Sequence, residues 1–472
     1  MAEFVVAIEL GSSAIRGIAG KKNLDGSISV QALVKEDASQ CIRKGVVNNI
    51  DKTASCLKSI VNKLSLALKY NVTYVYVGIG GQSVRSVRNV IVRDLPSETI
   101  IGGDVVNELM DTNRNMNYPG LRIVDAVTQE YKIGNQYVLD PVGIKGTRLE
   151  GNFLNVLLRE SFYNNLRSCF DKAGITIADV YLAPLALADC VLTDTEKRGG
   201  CVLVDFGADT TTVSVYYRSV LRHLAVIPLG GNNITKDITT LRMEEREAEL
   251  LKMKYASAYT ETADIDPSVS YPVDGERSVE CRKLIELVEA RVEEIIENVW
   301  CQVPVEYADK ILGGVVITGG GSNLKNIELA FKKYTHVDKI RKARFVNLSI
   351  KSNIEEIKRH DATLNTLIAL LASGDMNCVG APVGGSGDLF GHEGEHPTPQ
   401  RGTNPEGPSP VQPTPAPGGS PQDGKPSGPT PAGKDTREPE EEPKPKKHSF
   451  WKKVGDKLKG FGDKMLGAED EA

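Results

Sequence analysis

Two kinds of hydrophobic pattern alternate along the first 377 residues of the chain. Short apolar runs rich in valine and isoleucine predict strands, whereas apolar residues spaced three and four positions apart predict amphipathic helices. Alternation of the two along one chain is typical of an α/β fold. The pattern predicts helices at 52–68, 104–113, 160–173, 244–254, 281–300 and 362–372, and strands at 27–33, 73–78, 123–132, 153–159, 175–182, 213–217 and 221–227.

Two of the apolar runs end in the same kind of turn. The first run leads into Glu9-Leu10-Gly11-Ser12-Ser13, and the second leads into Asp205-Phe206-Gly207-Ala208-Asp209-Thr210. A strand that delivers a carboxylate into a glycine turn places backbone N–H groups and hydroxyls around an anion. Either turn alone is also explained by an ordinary strand hairpin. Their repetition far apart in the sequence indicates two halves of one nucleotide clamp.

Three further features belong to the predicted clamp. A third apolar run ends in Thr318-Gly319-Gly320-Gly321, and bare backbone of this kind lets an adenine and its ribose lie flat against it. A glycine pair ending at Gly231 precedes a helix and offers N–H groups to the same phosphates, although a helix cap needs the same residues. Glu249 and Lys252 lie three positions apart on a predicted helix, where an ordinary salt bridge is the simpler explanation.

The composition changes after Asn377. Residues 380–447 contain most of the prolines, many glycines and almost no large apolar residues. Such a segment cannot bury enough surface to offset its chain entropy, so we expect a disordered linker. A proline-rich ligand for the aromatic groove of a partner is the alternative.

A short amphipathic segment follows the linker. Lysines at 452, 453, 457, 459 and 464 alternate with apolar residues at helical spacing, which predicts a basic amphipathic helix that lies on an anionic membrane. A helix that packs back on the folded body is the alternative. The apolar residues of the predicted membrane face are Phe450, Trp451, Val454, Leu458, Phe461, Met465 and Leu466.

Overall composition excludes several classes of protein. A net charge of −5 over 472 residues gives no basic footprint for nucleic acid, so no nucleic-acid partner is expected. The eight cysteines are scattered, which favours reduced structural thiols in a cytosolic protein over a zinc site or a disulfide framework. No long uncharged apolar segment is present, so we expect neither secretion nor a membrane-spanning helix.

Taken in order, these motifs resemble those of the FtsA family, the actin-like proteins of bacterial cell division. The resemblance rests on the two acid-x-Gly turns, the run that ends at Asp237, the Glu249-x-x-Lys252 pair, the triple-glycine turn and the tethered tail. It covers residues 3–375 and the tail.

The resemblance implies the fold shared by actin, heat-shock ATPases and sugar kinases, with two domains around a central nucleotide cleft. By this resemblance the chain divides into four subdomains, a linker and a tail. Subdomain 1A comprises residues 1–82, 161–197 and 355–378, and subdomain 1C comprises residues 83–160. Subdomain 2A comprises residues 198–235 and 304–354, subdomain 2B residues 236–303, the linker residues 379–447 and the membrane-targeting tail residues 448–472.

The resemblance also implies the cofactors and the site. ATP would bind in the cleft, and Glu9 and Asp205 would hold Mg²⁺ through water. Glu249 and Lys252 would reach the ribose and the adenine, and Gly319, Gly320 and Gly321 would face the nucleoside. Residues around the phosphates would be Gly11, Ser12, Ser13, Gly207, Ala208, Asp209, Thr210 and Gly231.

The family resemblance further implies the partners and the location. The protein would polymerise into an actin-like filament and bind the C-terminal peptide of the tubulin-like FtsZ through subdomain 2B. Subdomain 1C would contact other division proteins, and the tail would bind anionic lipids. The expected location is the cytoplasmic face of the inner membrane at the division septum, where the protein would be peripheral and tether FtsZ filaments.

Three departures from the wider actin-like pattern affect the expected chemistry. Ala14 stands where many relatives carry a lysine, so one phosphate-neutralising charge is expected to be missing, and Asp209 places a carboxylate where bare backbone is usual. Leu185 stands where actins orient the attacking water, so we expect at most a weak ATPase and no ordinary enzyme. A sugar-kinase-like phosphotransferase, a chaperone-type ATPase and a pilus-assembly relative remain the alternatives.

Overall fold

The computed structural model describes residues 3–346 and 348–383, with the backbone alone at Pro96 and Ser97. The strands are β1 Val5–Leu10, β2 Ala14–Lys22, β3 Ile28–Asp37, β4 Ile42–Arg43, β5 Val46–Val47, β6 Tyr70–Val72, β7 Tyr74–Ile79, β8 Arg85–Ile100, β9 Leu121–Ile133, β10 Gln136–Val138, β11 Lys145–Arg159, β12 Thr176–Leu182, β13 Cys201–Phe206, β14 Thr211–Tyr217, β15 Val220–Ile227, β16 Ser270–Pro272, β17 Ser278–Glu280, β18 Gly314–Thr318, β19 Ile340–Lys342, β20 Ile350–Lys351 and β21 Val379–Pro382. The α-helices are α1 Ile50–Leu68, α2 Gly103–Arg114, α3 Glu160–Ala173, α4 Ala183–Val191, α5 Asp194–Gly199, α6 Gly231–Thr239, α7 Glu245–Tyr255, α8 Cys281–Trp300, α9 Val305–Ala308, α10 Ile327–Thr335, α11 Glu355–Lys358 and α12 Asn365–Ser373.

Two sheets repeat the same strand order. In the first sheet β3, β2 and β1 form an antiparallel meander, and β7 and β12 add to it in parallel. In the second sheet β15, β14 and β13 form the same meander, and β18 and β19 add to it in parallel. The repeated turn in the sequence therefore lies at the equivalent hairpin in each sheet, between β1 and β2 and between β13 and β14. The sequence thus contains a structural duplication.

Two large hydrophobic cores stabilise the two halves, and the first core extends onto the second sheet through Leu203, Leu224 and Val316. The first core packs α1, α3, α4 and α12 around the first sheet and includes the fully buried Leu57, Phe170 and Leu367. The second core packs α6, α8 and α10 on the second sheet and includes Phe206 and Phe331. Burial of such side chains contributes roughly 1.5–3 kcal/mol each, so packing of the amphipathic helices holds each sheet in place.

A separate segment, β8 to β11 with α2, extends the second sheet. The long strands β8, β11 and β9 pair side by side, and α2 covers them over a small core that contains Leu109 and Phe153. The strand β8 meets β15 through the Arg85–Ala225 pair. Beside this junction the buried Arg222 donates a hydrogen bond to Gln129 Oε1 at 3.2 Å. The segment is therefore attached to the second half as well as to the first.

Most predicted elements are confirmed, and the strands that were missed are short ones of two to four residues and two long ones, β2 and β8. Helices were predicted at 160–173 and 281–300, and α3 and α8 occupy these ranges. The sequence analysis did not predict β2, because its glycines resemble a loop, or β8, because its outward residues are mostly polar. No helix in the described ranges is long and apolar enough to cross a bilayer. The predicted linker, 379–447, was wrong at its start, because Val379–Pro382 form β21 and pair with β6. The rest of the linker and the predicted membrane face lie outside the described residues, and the subdomain boundaries stay predictions.

Candidate functional site

The two repeated turns have the geometry of tight strand hairpins. In the first, Glu9 pairs with Arg16 across β1 and β2, and in the second, Asp205 pairs with Thr212 across β13 and β14. A Cβ added at Gly11 would lie 2.9 Å from the Ala14 carbonyl oxygen, and one at Gly207 would lie 2.8 Å from that of Thr210. Both glycines are therefore required by the turns themselves, as well as leaving backbone open for an anion.

The carboxyl of Asp205 lies close enough to Glu9 to affect the pKa of Glu9. Burial raises the pKa of Glu9 to about 7; the Arg16 guanidinium opposes this rise and the Asp205 carboxylate adds to it. Burial likewise raises the pKa of Asp205 to about 6, although Thr366 donates a hydrogen bond to it at 3.3 Å. Glu9 Oε2 is buried and has no hydrogen-bond partner among the described residues. The structure thus brings together the two acids predicted to face a metal ion.

Arg16 supplies a positive charge beside the first turn. Its guanidinium lies 3.8 Å from Glu9 Oε2 and 3.5 Å from the position that a Cβ at Gly11 would occupy. The phosphate-neutralising charge expected to be missing at Ala14 stays a prediction. Arg16 lies two residues further along β2 and on the same face of the strand, so it offers a positive charge to the same turn.

A loop of the first half bridges the two turns, and sequence reasoning missed it. The Lys44 backbone N–H donates to Asp209 Oδ2 at 3.0 Å, and the next N–H, that of Gly45, donates to Ser12 Oγ at 2.9 Å. Both residues have left-handed backbone conformations, with φ values of 49° and 71°. A Lys-Gly pair between two short apolar runs was the available signal, since such a pair is typical of a turn.

The beginning of α6 is bound to the second turn. The Gly231 N–H donates to the Gly207 carbonyl at 3.0 Å, and the Asn232 N–H donates to the Ala208 carbonyl at 2.7 Å. The Asn232 side-chain amide also donates to Asp209 Oδ1 at 2.7 Å. In this structure the N–H groups predicted to face phosphate thus satisfy carbonyl groups of the turn.

The Glu249–Lys252 pair is more than a surface salt bridge. Lys252 Nζ lies 2.7 Å from Glu249, and it also donates to the Gly231 carbonyl at 3.0 Å and to Thr235 Oγ1 at 2.8 Å. The Lys252 side chain is only 10% exposed. It therefore fastens α7 to the start of α6 and places a positive charge next to the second turn.

The three glycines of the third turn have different roles. A Cβ at Gly319, whose φ is 81°, would lie 2.4 Å from Asp205 Oδ1, and one at Gly321 would lie 2.5 Å from the Phe206 ring. At Gly320 a Cβ would meet no atom within 4 Å. Two of the glycines are thus required for packing against β13, and Gly320 has an open side.

The predicted site residues gather around the ends of β1, β13 and β18. Asp205 pairs with Thr318 across β13 and β18, so the second and third turns are neighbours, and the Lys44–Gly45 loop links the second turn to the first. Leu185 lies on α4 and packs against the first core. Ser13 is exposed at the tip of the first turn. Within the described residues no group of three or more histidine, cysteine or acidic side chains forms a metal site.

The duplicated sheets, each with a glycine turn at its first hairpin, define an actin-like protein. Residues 202–362 match the family described as "Cell division protein FtsA", and residues 81–157 match the "SHS2 domain inserted in FTSA". The chain is 31% identical over 365 residues to the cell division protein FtsA of Porphyromonas gingivalis, covering 76% of each chain. It is 30% identical over 332 residues to that of Neisseria meningitidis, covering 69% of this chain and 80% of the relative. The chain belongs to the FtsA family of cell division proteins.

One solved structure supports the fold independently of sequence. A chain of the "PilM-PilN type IV pilus biogenesis complex" superimposes with a TM-score of 0.52 at 14% identity, covering 78% of this chain and 97% of that one. At such low identity the likeness concerns the fold alone. The expected actin-like α/β fold is therefore confirmed, and the family that the motifs resembled is confirmed as well.

Proposed function

We propose that the site between the two turns binds ATP together with Mg²⁺, and that the nucleotide serves assembly more than catalysis. The observation that carries this proposal is the pair of partly buried carboxyls with raised pKa values, Glu9 and Asp205, behind two glycine turns. A divalent cation would favour their ionised forms, and a magnesium-bound water would donate a hydrogen bond to Glu9 Oε2, which accepts none from the described residues. Because only two acids meet there, most Mg²⁺ ligands would be water and phosphate oxygens.

The remaining predicted contacts fit around the same place. The turns at 11–13 and 207–210 would surround the phosphates, and Arg16 and Lys252 would offset their negative charge. Glu249 would lie on the ribose side, and the open side of Gly320 would face the nucleoside. Leu185 offers no polar group to orient water, which supports at most weak ATP hydrolysis.

Equilibrium dialysis with Mg-ATP tests the nucleotide proposal. Wild-type protein should bind Mg-ATP, and Asp205→Asn should weaken the affinity by about tenfold or more, because it removes a charge next to the cation. Glu306→Gln is the matched control, since Glu306 is a half-exposed acid that pairs with Arg88 on the surface. Equal affinities of wild type and Asp205→Asn would contradict the role of the acids, and no binding by wild type would contradict the nucleotide itself.

In the same proposal the protein polymerises and tethers FtsZ filaments to the cytoplasmic face of the inner membrane through its tail. Membership in the FtsA family supports this role. Contacts with other division proteins through residues 83–160 are supported by exposed apolar residues in that segment, such as Tyr137 and Leu139.

A surface on α7 supports binding of the FtsZ C-terminal peptide within residues 236–303. Leu250 and Met253 are 60% and 74% exposed, and they share one helix face with the exposed Arg246. An apolar patch beside a positive charge suits a short peptide that carries both apolar and acidic residues. Changing Leu250 and Met253 to Glu should abolish peptide binding in fluorescence anisotropy, whereas Leu329→Glu, at a 51% exposed leucine of α10, should not.

A further inference from the structure

Two cysteine side chains are in contact at the base of the hairpin that β4 and β5 form. Cys41 comes directly before β4, and Cys56 lies in the second turn of α1. Their sulfur atoms are 3.7 Å apart, although the two residues are separated by 15 positions in the sequence. Because a disulfide bond is about 2.05 Å long, the two sulfur atoms need to approach by less than about 2 Å to form one.

The hairpin of β4 and β5 is closed at its base and reaches the candidate nucleotide site at its tip. At the base, the Cys41 carbonyl accepts the N–H groups of Asn48 at 2.9 Å and of Asn49 at 3.2 Å, and β4 pairs with β5. The tip is the Lys44–Gly45 loop, which contacts both glycine turns. A covalent bond at Cys41 therefore acts on the segment that bridges the two turns.

The two thiols differ in their access to solvent. Cys41 is only 3% exposed, whereas Cys56 is half-buried and can be reached by a small reagent. Burial, the contact with Cys41 and the nearby carboxylates of Glu36 and Asp37 raise the pKa of Cys56 to about 11. Only a small fraction of this thiol is ionised at neutral pH, so its reaction with an oxidant is slow. We therefore expect the pair to stay reduced until an oxidant persists.

We propose that Cys41 and Cys56 are a redox-sensitive pair, which a low-molecular-weight disulfide converts into an intramolecular disulfide that fixes the hairpin against α1. The Cys56 thiolate attacks the small disulfide and displaces one small thiolate, which leaves a mixed disulfide on Cys56. The Cys41 thiolate then attacks the Cys56 sulfur and displaces the second small thiolate. The protein loses two protons and two electrons, and the small disulfide is reduced to two thiols. The reaction does not depend on a bound nucleotide.

The bond restricts the hairpin because it closes a short covalent loop. A cross-link over 15 positions removes conformations in which the base of the hairpin moves away from α1. The N–H groups of Lys44 and Gly45 then separate less often from Asp209 and Ser12. Oxidation therefore holds the two glycine turns together more firmly.

Mass spectrometry after oxidation tests the bond itself. The full chain is incubated with oxidised glutathione, its remaining thiols are blocked with iodoacetamide under denaturing conditions, and it is digested with trypsin. The digest should contain peptides 36–43 and 53–58 joined through Cys41 and Cys56. Dithiothreitol should separate the joined peptides, because thiol–disulfide exchange is reversible.

Three variants serve as controls for the bond. Cys56→Ser and Cys41→Ala should each lack the joined peptides, and both are used because Cys41 is buried and its replacement can disturb folding. Cys301→Ser is the matched control, since Cys301 is an exposed cysteine directly after α8, and it should form the joined peptides like wild type. Wild-type protein in which both thiols stay free, or in which glutathione remains on Cys56, overturns the proposal.

Hydrogen exchange tests the effect of the bond on the hairpin. In oxidised wild type the peptide that covers residues 41–48 should exchange at least about threefold more slowly than in reduced wild type, because the hairpin opens less often. In Cys56→Ser the same oxidant should leave the exchange unchanged. Equal exchange in oxidised and reduced wild type would overturn the claim that the bond fixes the hairpin. Both measurements are made without nucleotide, so a failure of the cysteine pair is distinct from a failure of the nucleotide proposal.

Discussion

Among the acids of the candidate site, Glu9 has a pKa that its surroundings raise strongly. Its pKa is raised by burial to about 7, and its side chain is 20% exposed. A carboxyl with a higher pKa in the folded than in the unfolded protein holds its proton more tightly when folded. Its contribution to the free energy of unfolding therefore falls as the pH rises from about 4.5 to about 7.

We predict that Glu9→Gln removes part of this pH dependence. Between pH 5 and pH 8, roughly, the nucleotide-free wild type should lose on the order of 1–3 kcal/mol more stability than the variant does. Urea unfolding at several pH values measures the difference. The variant also changes the contact with Arg16, so the relevant result is the slope with pH and not the stability at one pH. Parallel pH profiles would contradict the raised pKa.

The third turn provides a comparison between adjacent glycines. Gly319→Ala should lower the free energy of unfolding by about 2 kcal/mol or more, because φ is positive and the new Cβ would meet Asp205 Oδ1 at 2.4 Å. Gly320→Ala should change it by less than about 0.5 kcal/mol, because nothing lies within 4 Å. Chemical denaturation measures both. Equal losses in the two variants would mean that the turn adopts another conformation.

At the scale of elements, regular amphipathic spacing predicted helices better than composition predicted strands. α1 was found from its apolar spacing, and its core positions Leu57, Ile60 and Leu64 are fully buried. β2 was missed because Gly17 and Gly20 suggest a loop. A Cβ at Gly17 would meet the Ile60 side chain at 2.4 Å, so the glycine is present for close packing of α1 on the strand. Such a tertiary reason cannot be read from a local pattern.

The pairing of α6 and α7 leads to a prediction about Lys252. Replacing Lys252 with Met removes hydrogen bonds to the Gly231 carbonyl and to Thr235, and it should lower stability by roughly 1–3 kcal/mol. Hydrogen exchange in α6 should become faster. Lys254→Met is the matched control, since Lys254 is exposed and its ammonium lies over the Tyr255 ring, 4.9 Å from the ring centroid. Equal effects of the two variants would show that Lys252 contributes no more than a surface lysine.

At the scale of the whole molecule, the sequence predicted the duplication but not how its halves meet. The two acid-x-Gly turns indicated a two-part clamp, and both occupy the same hairpin of equivalent sheets. The Lys44–Gly45 bridge was not predicted, because the Lys-Gly pair indicates a turn but not which groups the backbone N–H donors of that turn contact. The position of Arg16 beside the first turn became visible only when the strand register was known.

The tail lies beyond the described residues, and we predict that it binds the membrane independently of nucleotide binding by the folded body. The sequence predicts an apolar stripe that includes Phe450, Trp451, Leu458 and Phe461, with nearby lysines that suit anionic headgroups. Changing Trp451 and Phe461 to Glu should release the protein from anionic vesicles in co-sedimentation and leave nucleotide affinity unchanged. High salt should weaken wild-type binding without abolishing it, because apolar burial is not screened.

The matched control adds the same two charges elsewhere, with Thr403→Glu and Ser409→Glu in the proline-rich segment. This variant should sediment with vesicles like wild type, since its charges lie outside the apolar stripe. If both double variants are released equally, added charge alone explains the loss. If the tail variant also loses nucleotide binding, the tail and the folded body act together, and the case for an independent membrane anchor fails.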